Sequence, residues 1–299
     1  MKRTLTLLAA GFGVSCAAAL AQVPRTFVSA QHGSDSNPCS ITLPCRTFGA
    51  AITAVTAGGE VVVLDSGGYG AVTITKAVTI EAPAGIYAGV YLASGDGVDV
   101  NVGSTDLVVL RGLTLNSVSS NYGIALKSGG TLRVERCVIT NWFVGIYQTA
   151  GRLDVVDTSL AGNTDGISIS GAVSASVTRS TMQGGSFGLV ATTGAEVAAV
   201  DCVASNNSTG FLVGSAGTTT SLVLDHCLAA NNTTWGMEAQ AFVPWTATLS
   251  VTNSTSTGNG TGLGQSGGGG TEKVQTLGND LVVGNGTNIA GTVTVIAGH

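Results

Sequence analysis

A glycine that returns about every two dozen residues constrains this chain more than any other feature. It precedes a short apolar run at Gly123, Gly145, Gly166, Gly188, Gly210, Gly236 and Gly262, and Asn288 takes the eighth place. The step is 21 or 22 residues and lengthens to 26 from Gly210 onward. A steady period of this size marks a solenoid, whose units bury their apolar faces only by stacking on one another. Each unit holds two or three β-rich runs with alternating polarity, such as Leu132-Arg133-Val134 and Leu222-Val223-Leu224. The Leu-x-x-Leu-x-Leu signature of leucine-rich repeats is missing, and helical repeats are longer and poor in glycine. Gly or Asn falls at the bends, where positive φ is often required. The pattern describes an all-β fold, a parallel β-helix. The stretch from Glu60 to Leu115 has the same strand character (Val61-Val62-Val63-Leu64, Val78-Thr79-Ile80). This gives a solenoid of roughly ten coils and a rod of about 45–50 Å at ~4.8 Å per coil. Asn163, Asn206, Asn231 and Asn259 recur near one bend and are expected to form a partial ladder of stacked amides.

Composition agrees with this architecture. The 299 residues include 44 Gly, 44% are apolar and only 10% are charged, which supplies bends and a long core. Such a balance excludes disorder, and the lack of a three-residue glycine period excludes collagen. A net charge of −5 with 12 Lys and Arg offers no basic footprint for nucleic acid. Acids and bases for catalysis are correspondingly scarce.

The first 21 residues read as a signal peptide. Lys2 and Arg3 begin it, Leu5 to Leu20 is apolar, and Ala19-Leu20-Ala21 has the small-x-small form of a cleavage site. No later segment resembles a membrane span, so a secreted or periplasmic protein is expected. Export permits disulfides, and Cys39 and Cys45, six residues apart, suit closure of a small loop. Cys202 and Cys227 fall on adjacent coils, where parallel side chains favour stacked thiols over a bond, and Cys137 is three coils from Cys202.

The rod's open ends need covers. Arg46 to Val55 is the one convincing amphipathic helix, with Phe48, Ile52 and Val55 on one face, and is read as the N-terminal lid. Thr26 to Ile52 contains a Val-Ser strand, a Gly-x-Asp-x-Asn-Pro turn, a Pro-x-x-Thr lead-in and this helix. Gly58 to Gly70 follows as a first coil. On these segments and the repeats, the chain resembles secreted right-handed parallel β-helix proteins of the pectin-lyase-like superfamily. The resemblance covers nearly all of the mature chain and implies a right-handed coil. It leaves activity open, because the architecture hosts lyases, hydrolases, adhesins and proteins without known activity. The expected organisation is a signal peptide (1–21), a lead-in strand, disulfide loop and capping helix (22–57), and the β-helix (58–299).

Few residues suggest chemistry. Asn163-Thr164-Asp165-Gly166 matches the hallmark of polygalacturonase-type glycosidases, yet the paired Asp, Gly-His-Gly and Arg-x-Lys of that family do not follow. Inverting hydrolysis needs both an acid and a base, so the match reads as favoured turn residues. A lyase on an acidic polysaccharide would commonly hold Ca²⁺ with several acids. Asp96 and Asp99 lie close but lack an obvious third partner. His32, His226 and His299 have no paired spacing, so no metal site and no cofactor are expected, Ca²⁺ entering only with the lyase reading.

Two columns stand out instead. Arg136, Asp157, Arg179, Asp201 and His226, followed by Asn253, occupy one position of successive coils. They are expected to form a self-neutralising ladder of alternating charge, with Arg133 over Asp154 repeating the pattern. Tyr122, Trp142, Phe143, Phe187 and Trp235 lie at or beside the repeat glycine. Two readings stand: with Asp165 they stack against sugar rings, or they pack over neighbouring loops. The reading adopted is an exported β-helix protein that binds polysaccharide or a cell-surface ligand through Tyr122, Trp142, Asp165, Phe187 and Trp235. The alternative is a polysaccharide lyase or, less readily, a glycoside hydrolase. Oligomeric state is left open.

Overall fold

Hydrogen bonding between turns organises the chain into three faces. The computed structural model describes residues 22–297, side chains 119 and 120 excepted. The expected signal peptide therefore lies outside the described residues. The fold is a right-handed parallel β-solenoid of about nine turns, close to the ten anticipated, with one short helix. One face is a twelve-stranded parallel sheet running from Val23–Val28 to Val293–Val295. A short second strand follows in most turns, as in Ser159–Ala161 and Thr181–Gln183, and then a third, as in Asp165–Ser170 and Phe187–Thr192; in Leu113–Leu126 and Val138–Gln148 the two run together. The register repeats from turn to turn, so equivalent residues stack. Ile124, Ile146, Ile167, Leu189, Phe211, Met237 and Leu263 form one continuous buried column.

The repeat glycines serve a purpose different from the one expected of a bend. None of them has positive φ. A Cβ on Gly145, Gly166 or Gly188 would instead lie 2.5–2.6 Å from the carbonyl oxygen of the next repeat glycine. Close backbone approach, not left-handed geometry, excludes a side chain there. The left-handed corners fall mainly on other residues, among them Arg136, Asp157, Arg179, Asp201, His226 and Asn253, with φ between 46° and 55°.

Each corner leaves a backbone N–H that the regular ladder does not serve, and a side chain one turn on accepts it. At the first corner Thr158 Oγ1 accepts from Cys137 N–H, Ser180 Oγ from Thr158 N–H, and Ser254 Oγ from Cys227 N–H. At the second corner asparagine does this; Asn163 and Asn259 hold the expected places, while the expected Asn206 and Asn231 give way to the next residue. Asn206 and Asn231 are the left-handed residues, whereas Asn207, Asn232, Asn259 and Asn285 carry the bonded amides. Asn163 stands in the same column, broken at Gly185, and accepts from Trp142 N–H.

At the N-terminal end, Thr47 caps a helix over Phe48–Ala54 by accepting from Ala50 N–H. The helix passes directly into strand Val55–Val63, across the boundary drawn at residue 57. It buries Phe48, Ala51, Ile52 and Ala54 over the first turn, with the Phe48 ring stacked on Tyr69 at 5.1 Å. A disulfide joins Cys39 and Cys45, whose Cα atoms are 4.5 Å apart. No helix among the described residues is long and apolar enough to cross a membrane.

Candidate functional site

The outer surface of the third face is built from two columns set by the repeat glycine. The residue before it supplies Asp96, Tyr122, Val144, Asp165, Phe187, Thr209 and Trp235. The residue two after it supplies Asp99, Ala125, Tyr147, Ser168, Val190, Leu212 and Glu238. Gly97 extends the glycine column one turn upstream, since a Cβ there would lie 2.6 Å from the Gly123 oxygen.

Cross-contacts show that both columns face the same side. The Tyr122 and Tyr147 rings stack at 4.3 Å with planes 6° apart. Thr209 Oγ1 donates to Glu238 Oε2 at 3.4 Å, and the Ser266 hydroxyl donates to the other Glu238 oxygen. Lys127 Nζ lies 2.5 Å from Asp96 Oδ2, 3.4 Å from Asp99 Oδ1 and 5.1 Å from the Tyr122 ring centre. Thr73, Asp96 and Asp99 line a hollow of about 300 Å³ beside this cluster.

Electrostatics differ along the face. Burial acts to lower the Lys127 pKa, but the hydrogen bond and charge of Asp96, with Asp99, outweigh it and the net shift is upward. Asp165 has no compensating partner, and burial pushes its carboxyl up to about 6. Burial also raises Glu238, partly offset by Ser266 and Thr209.

Of the five residues expected to meet a ligand, Tyr122, Asp165, Phe187 and Trp235 share this surface. Trp142 does not. Its indole is 2% exposed, within the core, and packs against Gly97 and Gly123. It occupies the inward position that asparagine holds in later turns, so its ring faces no solvent. The neighbouring Phe143, 58% exposed, takes the outer place and lines a corner groove of about 480 Å³ with Ser117, Val118, Asn141 and Thr164. Lys127, Tyr147 and Glu238 escape a reading confined to the residue before each glycine. Aligning the positions two and four after it would have found them.

The charge column is also corrected. Arg179 and Asp157 form a two-point ion pair (2.7 and 3.0 Å), but no further pair joins the column among the described residues. His226 Nδ1 pairs with Asp225 at 2.8 Å instead. Exposed corner charges gain little from pairing in water, and Arg136 and Asp201 act on the column through charge alone, Arg136 helping to lower the Asp157 pKa and Asp201 helping to raise that of Arg179. Arg133 does stand in register with Asp154, yet it pairs with Glu135, while Arg152 pairs with Asp154. The stronger network lies on the twelve-stranded face, where Arg111 bridges Glu135 (2.5 Å) and Glu81 (3.7 Å).

The residues of Asn163-Thr164-Asp165-Gly166 divide among the amide ladder, the corner groove, the outer column and the glycine column. Three turns separate Asp165 from Glu238, about 14 Å at ~4.8 Å per turn. The carboxyls of an inverting hydrolase stand roughly 6.5–9.5 Å apart. Among the described residues no three His, Cys, Asp or Glu side chains converge to hold a metal ion. Asp96 and Asp99, the best Ca²⁺ candidates, are already engaged by an ammonium and fall short of six to eight oxygens, so they do not fit that ion.

The chain is similar to several solved structures, and the first of them shares its fold. Pectate lyase Pel9A is 15% identical, with a TM-score of 0.53 and coverage of 92% of this chain and 78% of its own. A rhamnogalacturonan lyase is 12% identical (TM-score 0.47, 84% and 73% covered). GH136 lacto-N-biosidase from Eubacterium ramulus is 9% identical (TM-score 0.38, 91% and 68% covered). No curated protein matches the sequence. The family model for the right handed beta helix region matches residues 96–281, well over half the chain. With the parallel, in-register turns seen over those residues, the chain belongs to the right-handed β-helix family.

Proposed function

We propose that this is an exported β-helix protein, secreted or periplasmic, that binds a polysaccharide or cell-surface glycan along its third face without cleaving it. The supporting observation is the two-column side of that face, where Tyr122, Tyr147, Phe187 and Trp235 share the outer positions with Asp165 and Ser168, between buried Val144, Val190 and Leu212. Aromatic faces stack on the apolar faces of sugar rings, and flanking polar groups serve the hydroxyls.

Catalysis is disfavoured by the same geometry. Asp165 lacks a second carboxyl within reach. A lyase base must be neutral to take a proton, yet Lys127 is held charged between Asp96 and Asp99. The test is incubation of the protein with neutral and acidic polysaccharides, with and without Ca²⁺, followed by assays for unsaturated products and new reducing ends. Retention on a glycan with no product supports the reading. Turnover, or retention on none, overturns it.

A further inference from the structure

The cations of this protein are sorted by face. Arg25, Arg111, Arg133, Arg152 and Lys273 lie on the twelve-stranded sheet, where acids such as Glu60, Glu81, Glu135 and Asp154 pair with the arginines, and Arg136 and Arg179 lie at the corner after it. On the outer third face the described residues include Asp96, Asp99, Asp165 and Glu238 against one cation, Lys127. That ammonium is occupied by two of the four acids, and Glu238 is satisfied by two hydroxyls. Of these four acids only Asp165 has neither an ion pair nor a side-chain hydrogen bond to another described residue. It sits half-buried one turn from the Phe187 ring and three from Trp235.

Resting on the glycan-binding reading, we infer that the ligand of this face is a glycan bearing free, protonated amino groups, with one ammonium seated at Asp165 beside Phe187. A carboxylate next to an aromatic face is complementary to an ammonium on both counts, through charge and through the negative π-face. A polyuronate meets the reverse. Its carboxylates would approach a surface with an acidic excess and no unengaged cation, an arrangement that rejects like-charged partners. Half-burial keeps solvent from screening either effect fully. Burial raises the Asp165 pKa to about 6, and at neutral pH the group is mostly ionised and ready to receive a cation.

The test titrates the protein with glucosamine oligomers, their N-acetylated counterparts and oligogalacturonate at physiological salt. Asp165→Asn is compared with Glu196→Gln, an equal charge change on the twelve-stranded face. The expected result is binding of the amino oligomers, weakened about tenfold by Asp165→Asn and less than about twofold by Glu196→Gln. Equal binding of the acetylated oligomers, or oligogalacturonate binding lost in Tyr147→Ala, overturns the inference and leaves glycan binding standing. Equal weakening by both charge variants shows unspecific attraction and overturns it as well. Binding of no oligomer removes the glycan-binding reading along with it.

Discussion

Asn259 accepts the backbone N–H of Asn232 at 2.8 Å and its side-chain amide N–H at 2.9 Å, through a single Oδ1 atom. Its own amide donates to the Ala229 carbonyl one turn back, so one buried side chain serves groups of two turns. Removing it leaves several buried polar groups without partners, each costing about 1–3 kcal/mol. Asn259→Ala should therefore lower stability by at least about 2 kcal/mol in denaturant unfolding. Asn231→Gly, next to the ladder but at a left-handed φ of 55°, should change it by no more than about 0.5 kcal/mol.

The glycine column makes a second prediction. In Gly188→Ala the new methyl would meet the Gly210 oxygen at 2.5 Å and the Ala204 Cβ at 2.9 Å. Backbone cannot yield as a flexible side chain does, so the loss should be on the order of 3 kcal/mol. It should appear as a drop in the unfolding midpoint although alanine is compatible with the local φ.

Asp165 predicts a pH dependence. Its carboxyl is raised from 3.8 to about 6 in the folded protein, so the folded state holds the proton more tightly than the unfolded chain. The sequence of events with rising pH follows from linkage: stability falls between pH ~4 and ~6 and stays reduced above, by at most about 3 kcal/mol. Asp165→Asn should thus be more stable than the parent at pH 7, with the difference gone near pH 4. Parallel unfolding curves of the two proteins at several pH values check this.

Thiol chemistry supplies a fourth. Cys137, Cys202 and Cys227 are buried, and burial pushes the Cys137 thiol up to about 12. Residues 22–297 should release no thiol to a disulfide reagent while native and three when unfolded without reductant, Cys39 and Cys45 remaining joined.

The period of the solenoid was legible because close turn-to-turn packing forbids any side chain at Gly145 or Gly188, which leaves a visible glycine mark. Corner chemistry was legible only to within one residue. Asn206 and Asn207 are both plausible amides by type, and only the backbone decides which is left-handed and which turns inward. Trp142 misled for the same reason, since an aromatic at the ladder position points into the core while Phe143 points out. The Arg179–Asp157 pair followed from stacking, but exposed corners carry no rule that extends it to Arg136 or Asp201. Lys127 with Asp96 and Asp99 needed three positions of adjacent turns to be read together, which a single aligned column does not provide.

Retention on an immobilised glycan tests the central claim most directly, comparing the parent with Phe187→Ala/Trp235→Ala and with Arg133→Ala/Arg152→Ala on the twelve-stranded face. All three should unfold cooperatively near the same midpoint. The account predicts that the parent and the arginine variant are retained and that the aromatic variant washes through. Retention of the aromatic variant at the parent's level, with its fold intact, would contradict it.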